Sequence, residues 1–137
     1  MRGRFVTMLI GALGATACGS ASADLFSVER TGAGAGARVR LVVSDDGRVR
    51  CNTAAPLALG AVRLLEAREL SRRLASLAAL GLELPAGAPG DTTFRYRAEL
   101  PDGSIAFADS SRALPESFAE LAGFTRAVSR EVCKLPR

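Results

Sequence analysis

The sequence predicts an α+β domain: an antiparallel sheet of about five strands in the order βββ-α-ββ-α, two helices packed on one of its faces, and one disulfide. Three observations carry this. Two stretches alternate apolar and polar residues around aspartate–glycine turns, which is the period of half-buried strands. Two other stretches carry apolar residues at helical spacing, one between the strand groups and one after them. Cys51 shares the parity of the apolar Val49 and Cys133 follows Val132 at the end of the last helical stretch, so both cysteines point into the same layer. With 137 residues, 48% hydrophobic and 23% charged, the chain has material for one modest core.

Phe26 and Val28 mark the first strand, and Val39, Leu41 and Val43 the second, joined by a glycine-rich connection from Thr31 to Ala37. Ser44-Asp45-Asp46-Gly47 is a turn with glycine where a positive φ is needed, and Arg48 to Asn52 returns as a third strand. Pro56 breaks the pattern. From about Ala61 to Ala79 a helix is expected, with Val62, Leu65, Leu70, Leu74 and Leu77 inward, and Gly81 stops it. After the loop from Pro85 to Gly90, Phe94, Tyr96, Ala98 and Leu100 form a strand, Pro101-Asp102-Gly103-Ser104 turns it, and Ile105 and Phe107 return it. Pro115 and Glu116 open the last helix, whose stripe is Phe118, Leu121, Thr125, Val128 and Val132, and Pro136 prevents continuation.

The N-terminus reads as an address. Arg2 and Arg4 precede an uncharged apolar stretch from Phe5 to Ala17, the layout of a secretory signal peptide and too short to span a bilayer comfortably. The run Leu13-Gly14-Ala15-Thr16-Ala17-Cys18 resembles the lipobox of bacterial lipoprotein precursors, with Ala15 where that motif usually carries Leu. The expected plan is a signal peptide over 1–17, a lipid-bearing Cys18 with a short tether over 18–24, and one domain over 25–137. Ala21-Ser22-Ala23 offers an ordinary cleavage site instead, which would release a secreted protein from Asp24 onward. Either way the chain is expected outside the cytoplasm. With Cys18 acylated or removed, Cys51 and Cys133 remain as an even pair, expected to be bridged in an oxidising compartment.

Composition also limits the chemistry. Histidine is absent, which removes the usual general base and the Ser-His-Asp and Cys-His arrangements. Cleavage before Cys18 takes 18 basic residues to 16 against 14 acidic ones, so the basicity belongs partly to the leader and no nucleic-acid partner is expected. Gly32-Ala33-Gly34-Ala35-Gly36-Ala37 matches a dinucleotide pattern, but a strand follows it rather than a helix, so no cofactor is expected. Asp45, Asp46 and Asp109-Ser110-Ser111 lack a partner base and sit at turns, and no metal site is expected.

Two surfaces remain as candidates for binding. One is the loop bearing Thr31, Gly32, Gly34 and Gly36, whose glycines adapt to a partner at low steric cost. The other follows from strand parity, which projects Arg38, Arg40, Arg48, Arg50, Arg95 and Arg97 from the open face of the sheet with Glu29 and Glu99 as partial counterions. Such a face is either solvated, in a chain rich in arginine throughout, or serves an anionic partner.

The run Val28-Glu29-Arg30-Thr31-Gly32-Ala33-Gly34-Ala35-Gly36, the helix ending Leu80-Gly81-Leu82-Glu83-Leu84-Pro85, Phe94-Arg95-Tyr96 and the Asp102-Gly103 hairpin together resemble emfourin. The likeness runs from about Val28 to Val132 and implies a small inhibitor of thermolysin-type metalloproteases acting through the glycine loop. The lipobox and the cysteine pair are additions to that pattern. The chain is also similar to small extracytoplasmic lipoproteins of actinobacterial type. The expected function is a non-enzymatic, lipid-anchored binding module, held to the membrane by its N-terminal lipid and facing a secreted protease or an anionic envelope component.

Overall fold

The computed structural model describes residues 23–88 and 93–136; the expected signal peptide and Cys18 lie outside them. Eight elements follow in order: β1 (Asp24–Thr31), β2 (Val39–Ser44), β3 (Arg48–Cys51), β4 (Leu57–Ala58), α1 (Ala61–Ala79), β5 (Arg95–Leu100), β6 (Gly103–Ala108) and α2 (Glu116–Glu131). The strands form one sheet in the order β4-β3-β2-β1-β5-β6, with every pairing antiparallel. Chain order explains this arrangement. Short connections build β1 to β4 outward to one edge, α1 then carries the chain back across one face, and β5 and β6 complete the other side of β1.

Alternation along each strand separates a buried face from an open one. Phe26 and Val28 of β1, Val39, Leu41 and Val43 of β2, Val49 and Cys51 of β3, and Tyr96, Ala98 and Leu100 of β5 all turn toward the helices and are buried. Gly47, at φ 81°, makes the β2–β3 turn. Asn52, at φ 53°, ends β3, its backbone amide donating to Arg40 O at 2.7 Å and its Oδ1 accepting from Arg40 N at 2.9 Å. The expected count of about five strands becomes six because Leu57 and Ala58 pair with Val49 and Arg48. Pro56 stands just outside this short edge strand, where a missing amide donor is tolerated.

Helix α1 buries Ala67, Leu70, Leu74 and Ala78. The expected inward residues Val62 and Leu65 are instead exposed, at 78% and 65%. At about 100° per residue Leu65 stands roughly 140° around the helix from Leu70, and the small Ala67 and Ala78 fill the true stripe. Helix α2 follows its expected stripe, with Phe118, Leu121, Thr125 and Val128 buried and Val132 partly so. Inside it, Thr125 Oγ1 donates to Leu121 O at 2.8 Å and Ser129 Oγ to Thr125 O at 2.6 Å, so both buried hydroxyls are satisfied within the helix.

The core joins sheet and helices through stacked rings. Tyr96 lies 5.0 Å from Phe107 and Phe107 lies 4.9 Å from Phe118, while Phe26 meets Phe124 edge-on at 5.8 Å. Between α1 and β5 the chain doubles back: Leu84 N donates to Ala106 O at 2.8 Å and Ala106 N to Leu82 O at 3.1 Å, which covers the edge that β6 would otherwise expose. A disulfide joins Cys51 on β3 to Cys133 just beyond α2, 82 positions apart with Cα atoms separated by 5.9 Å. Among the described residues no helix is long and apolar enough to cross a membrane.

Candidate functional site

The glycine connection leaves the sheet where β1 ends. Residues 32–36 are all exposed, and Gly34 at φ 101° and Gly36 at φ 78° take conformations that L side chains adopt at a cost. The root of the loop is packed closely: a Cβ on Gly32 would stand 2.7 Å from Phe94 Cδ1. Its returning limb is held by Arg30, which is only 6% exposed. Arg30 Nε donates to Ala37 O at 3.2 Å and its Nη2 to Gly36 O at 3.3 Å, while the guanidinium carbon lies 4.7 Å from the centroid of the Phe94 ring. An exposed glycine tip is thus mounted on a buried cationic anchor.

Arg30 was not among the residues singled out from sequence, yet the signal was present. It shares the parity of Phe26 and Val28, so the alternation of β1 aims it at the core. A charge at a core position demands partners, and the two loop carbonyls and an aromatic face supply them.

The open face carries Arg40 on β2, Arg48 and Arg50 on β3, and Arg95 and Arg97 on β5, with Arg38 just ahead of β2; all six are exposed. Register places Glu29 of β1 directly between Arg40 and Arg97. Three arginines are paired: Arg38 Nε with Glu29 Oε1 at 3.2 Å, Arg97 Nη1 with Glu83 Oε1 at 3.4 Å, and Arg48 Nε with Asp46 Oδ2 at 3.6 Å. Glu99, expected as a counterion, forms no ion pair among the described residues, and Glu83 and Asp46 take that role beside Glu29. Sequence parity could not have found Glu83, which reaches the face only because its segment folds back along β6. Arg40, Arg50 and Arg95 have no ion pair among the described residues, although Glu29 stands across the strands from Arg40.

Loop and face adjoin at Thr31, which pairs with Arg95 across β1 and β5. A shallow hollow of about 580 Å³ lies there, lined by Glu29, Thr31, Glu83, Arg95 and Arg97 among others. A second, of about 590 Å³, lies across Arg38, Arg40, Arg50 and Asn52.

The other polar residues noted in the sequence are engaged in the fold. Both Asp109 carboxylate oxygens accept from Phe94 N at 3.2 Å, and Asp45 Oδ1 accepts from Arg68 Nε at 2.6 Å. Ser111 Oγ accepts from Ala108 N at 3.0 Å and donates to Pro85 O at 2.9 Å. Among the described residues no group of His, Cys, Asp and Glu could hold a metal ion. No protein-family model, curated protein or solved structure matches this chain.

Proposed function

We propose that this protein is an extracytoplasmic binding module, anchored by lipid at Cys18, which works by contact rather than by enzymatic chemistry. The observation that carries the reading is the loop of residues 32–36: exposed at its tip, rooted by the buried Arg30 and Phe94, and continuous at Thr31 with the arginine-bearing face. The leader-like sequence up to Cys18 and the bridge between Cys51 and Cys133 support the compartment. Detergent partitioning and intact-mass measurement test the anchor, which Cys18→Ser should abolish. Capture from native cell envelopes with the acylated protein tests the contact. Arg40→Glu with Arg95→Glu should weaken binding to anionic vesicles or wall polymers at low salt, because these guanidiniums form no ion pair among the described residues; unchanged binding identifies the face as solvated.

A second reading is favoured by the same rooted loop: emfourin-like inhibition of a secreted thermolysin-type metalloprotease, with backbone inserted in the enzyme's cleft. Inhibition would then be reversible and require no metal on this protein's side. Gly34 stands at φ 101°, so Gly34→Val should distort the tip and weaken inhibition while the sheet stays folded. Titration against a thermolysin-like enzyme decides it, and no inhibition at micromolar excess leaves the general binding module alone.

A further inference from the structure

Beside the root of the loop, on the helix side of the sheet, lies a hollow of about 270 Å³ lined by Arg30, Phe94, Arg126, Ser129, Arg130 and Pro136. The charged residues that line it are all arginines, with the Asp109 carboxylate beyond Phe94 as the nearby opposite charge. Arg63, Arg68 and Arg73 elsewhere in the molecule each pair with a carboxylate, yet Arg30, Arg126 and Arg130 have no ion pair among the described residues. Arg126 and Arg130 are one helical turn apart on α2, where like charges repel. Arg30 is buried, with Nε and Nη2 committed to loop carbonyls. The remaining walls are the Phe94 ring and Pro136, while the Ser129 hydroxyl donates to Thr125 O. Nearby, Tyr96 Oη is buried without a hydrogen-bond partner among the described residues, although Arg126 stands close enough to act on it.

We propose that this hollow binds a small monocarboxylate with an apolar body, the carboxylate held by the guanidiniums and the body, a ring or short acyl chain, laid against Phe94 and Pro136. Planar guanidinium forks match a carboxylate, and a buried cation gains most from an anion that arrives with its own apolar cover. The volume is just below that of pockets for drug-sized ligands, which limits the ligand to a compact one.

Hexanoate is the probe, with hexanol and inorganic phosphate as controls, titrated by calorimetry into the disulfide-intact full chain. Tyr96 is the one tyrosine and tryptophan is absent, so intrinsic fluorescence reports from this corner. Hexanoate should bind saturably with a change in that fluorescence, and hexanol and phosphate at least about tenfold more weakly. Arg126→Gln with Arg130→Gln should weaken hexanoate by about tenfold or more. Both side chains are exposed and form no ion pair among the described residues, so the fold should tolerate this. Arg72→Gln, at an exposed position of α1 that does not line the hollow, should leave binding within about twofold. The proposal is overturned by absence of saturable hexanoate binding up to about 10 mM, by equal binding of phosphate or hexanol, or by an unchanged Arg126/Arg130 variant.

Discussion

Gly103, the first residue of β6, faces the carbonyl of Ala78 near the end of α1 so closely that a Cβ would stand 2.2 Å from Ala78 O and 2.9 Å from its carbonyl carbon. The β5–β6 turn and the last turn of α1 are therefore seated backbone against backbone. The Asp102-Gly103 pair reads in the sequence as ordinary turn chemistry. What demands glycine here is its own φ of 150° together with a helix more than twenty residues earlier in the chain.

Gly103→Ala should accordingly cost about 2–3 kcal/mol or more, since the neighbouring atoms belong to backbone and cannot rotate aside. Urea unfolding measures it, and the midpoint should fall without a large change in slope. A loss below about 0.5 kcal/mol would show that both α1 and the backbone of the turn can shift to accommodate the methyl group.

Gly123 is the contrasting case. It lies inside α2, and a Cβ there meets no atom within 4 Å. Gly123→Ala should stabilise the protein by about 0.5–1 kcal/mol, because alanine has less backbone freedom to lose on entering a helix. Thermal unfolding should show a raised midpoint.

These two glycines show which parts of the molecule were legible in advance. Alternation around Val28, Leu41, Val49 and Tyr96 sufficed for strand faces, and the inward aim of Cys51 by strand parity and of Cys133 by its place after Val132 anticipated the bridge, because local periodicity needs no knowledge of neighbours. The inward stripe of α1 was misread where alanines, rather than the larger Val62 and Leu65, face the sheet. The pair Leu57 and Ala58 is too short to announce itself as a strand and exists because β3 offers an edge. At the candidate surfaces, the exposure of the loop and of the six arginines followed from composition and parity. The approach of Glu83 to Arg97 and the grip of Arg30 on the loop arise only when distant segments pack, and local pattern cannot show that.

The disulfide fastens the β3 side of the sheet to the end of α2 across a span of 82 positions. In the chain-entropy account a closure of that length stabilises by about 4.5 kcal/mol, an upper figure where the reduced chain keeps residual structure. Cys51→Ala with Cys133→Ala should lower stability by about 2–5 kcal/mol. Comparing denaturant midpoints of that variant and the oxidised protein is the measurement; equal midpoints would mean that the helix end is held fully by packing.

Tyr96 supplies the pH dependence. Burial raises its phenol above the ordinary value of 10.0, against the opposing pull of the Arg126 and Arg30 charges, which favour the phenolate. The unfolded phenol ionises near its ordinary value and the native one higher, so between the two only the unfolded state gives up its proton. This contribution to stability is fully present below about pH 10 and is lost as pH rises through the native value. With one tyrosine and no tryptophan, near-ultraviolet phenolate absorbance follows this single group. The native transition should lie above that of the urea-unfolded chain. Arg126→Gln should push it higher still, because the substitution removes a positive charge that helps the buried phenolate form. A native transition at or below the unfolded one would mean that the cations outweigh burial at this ring.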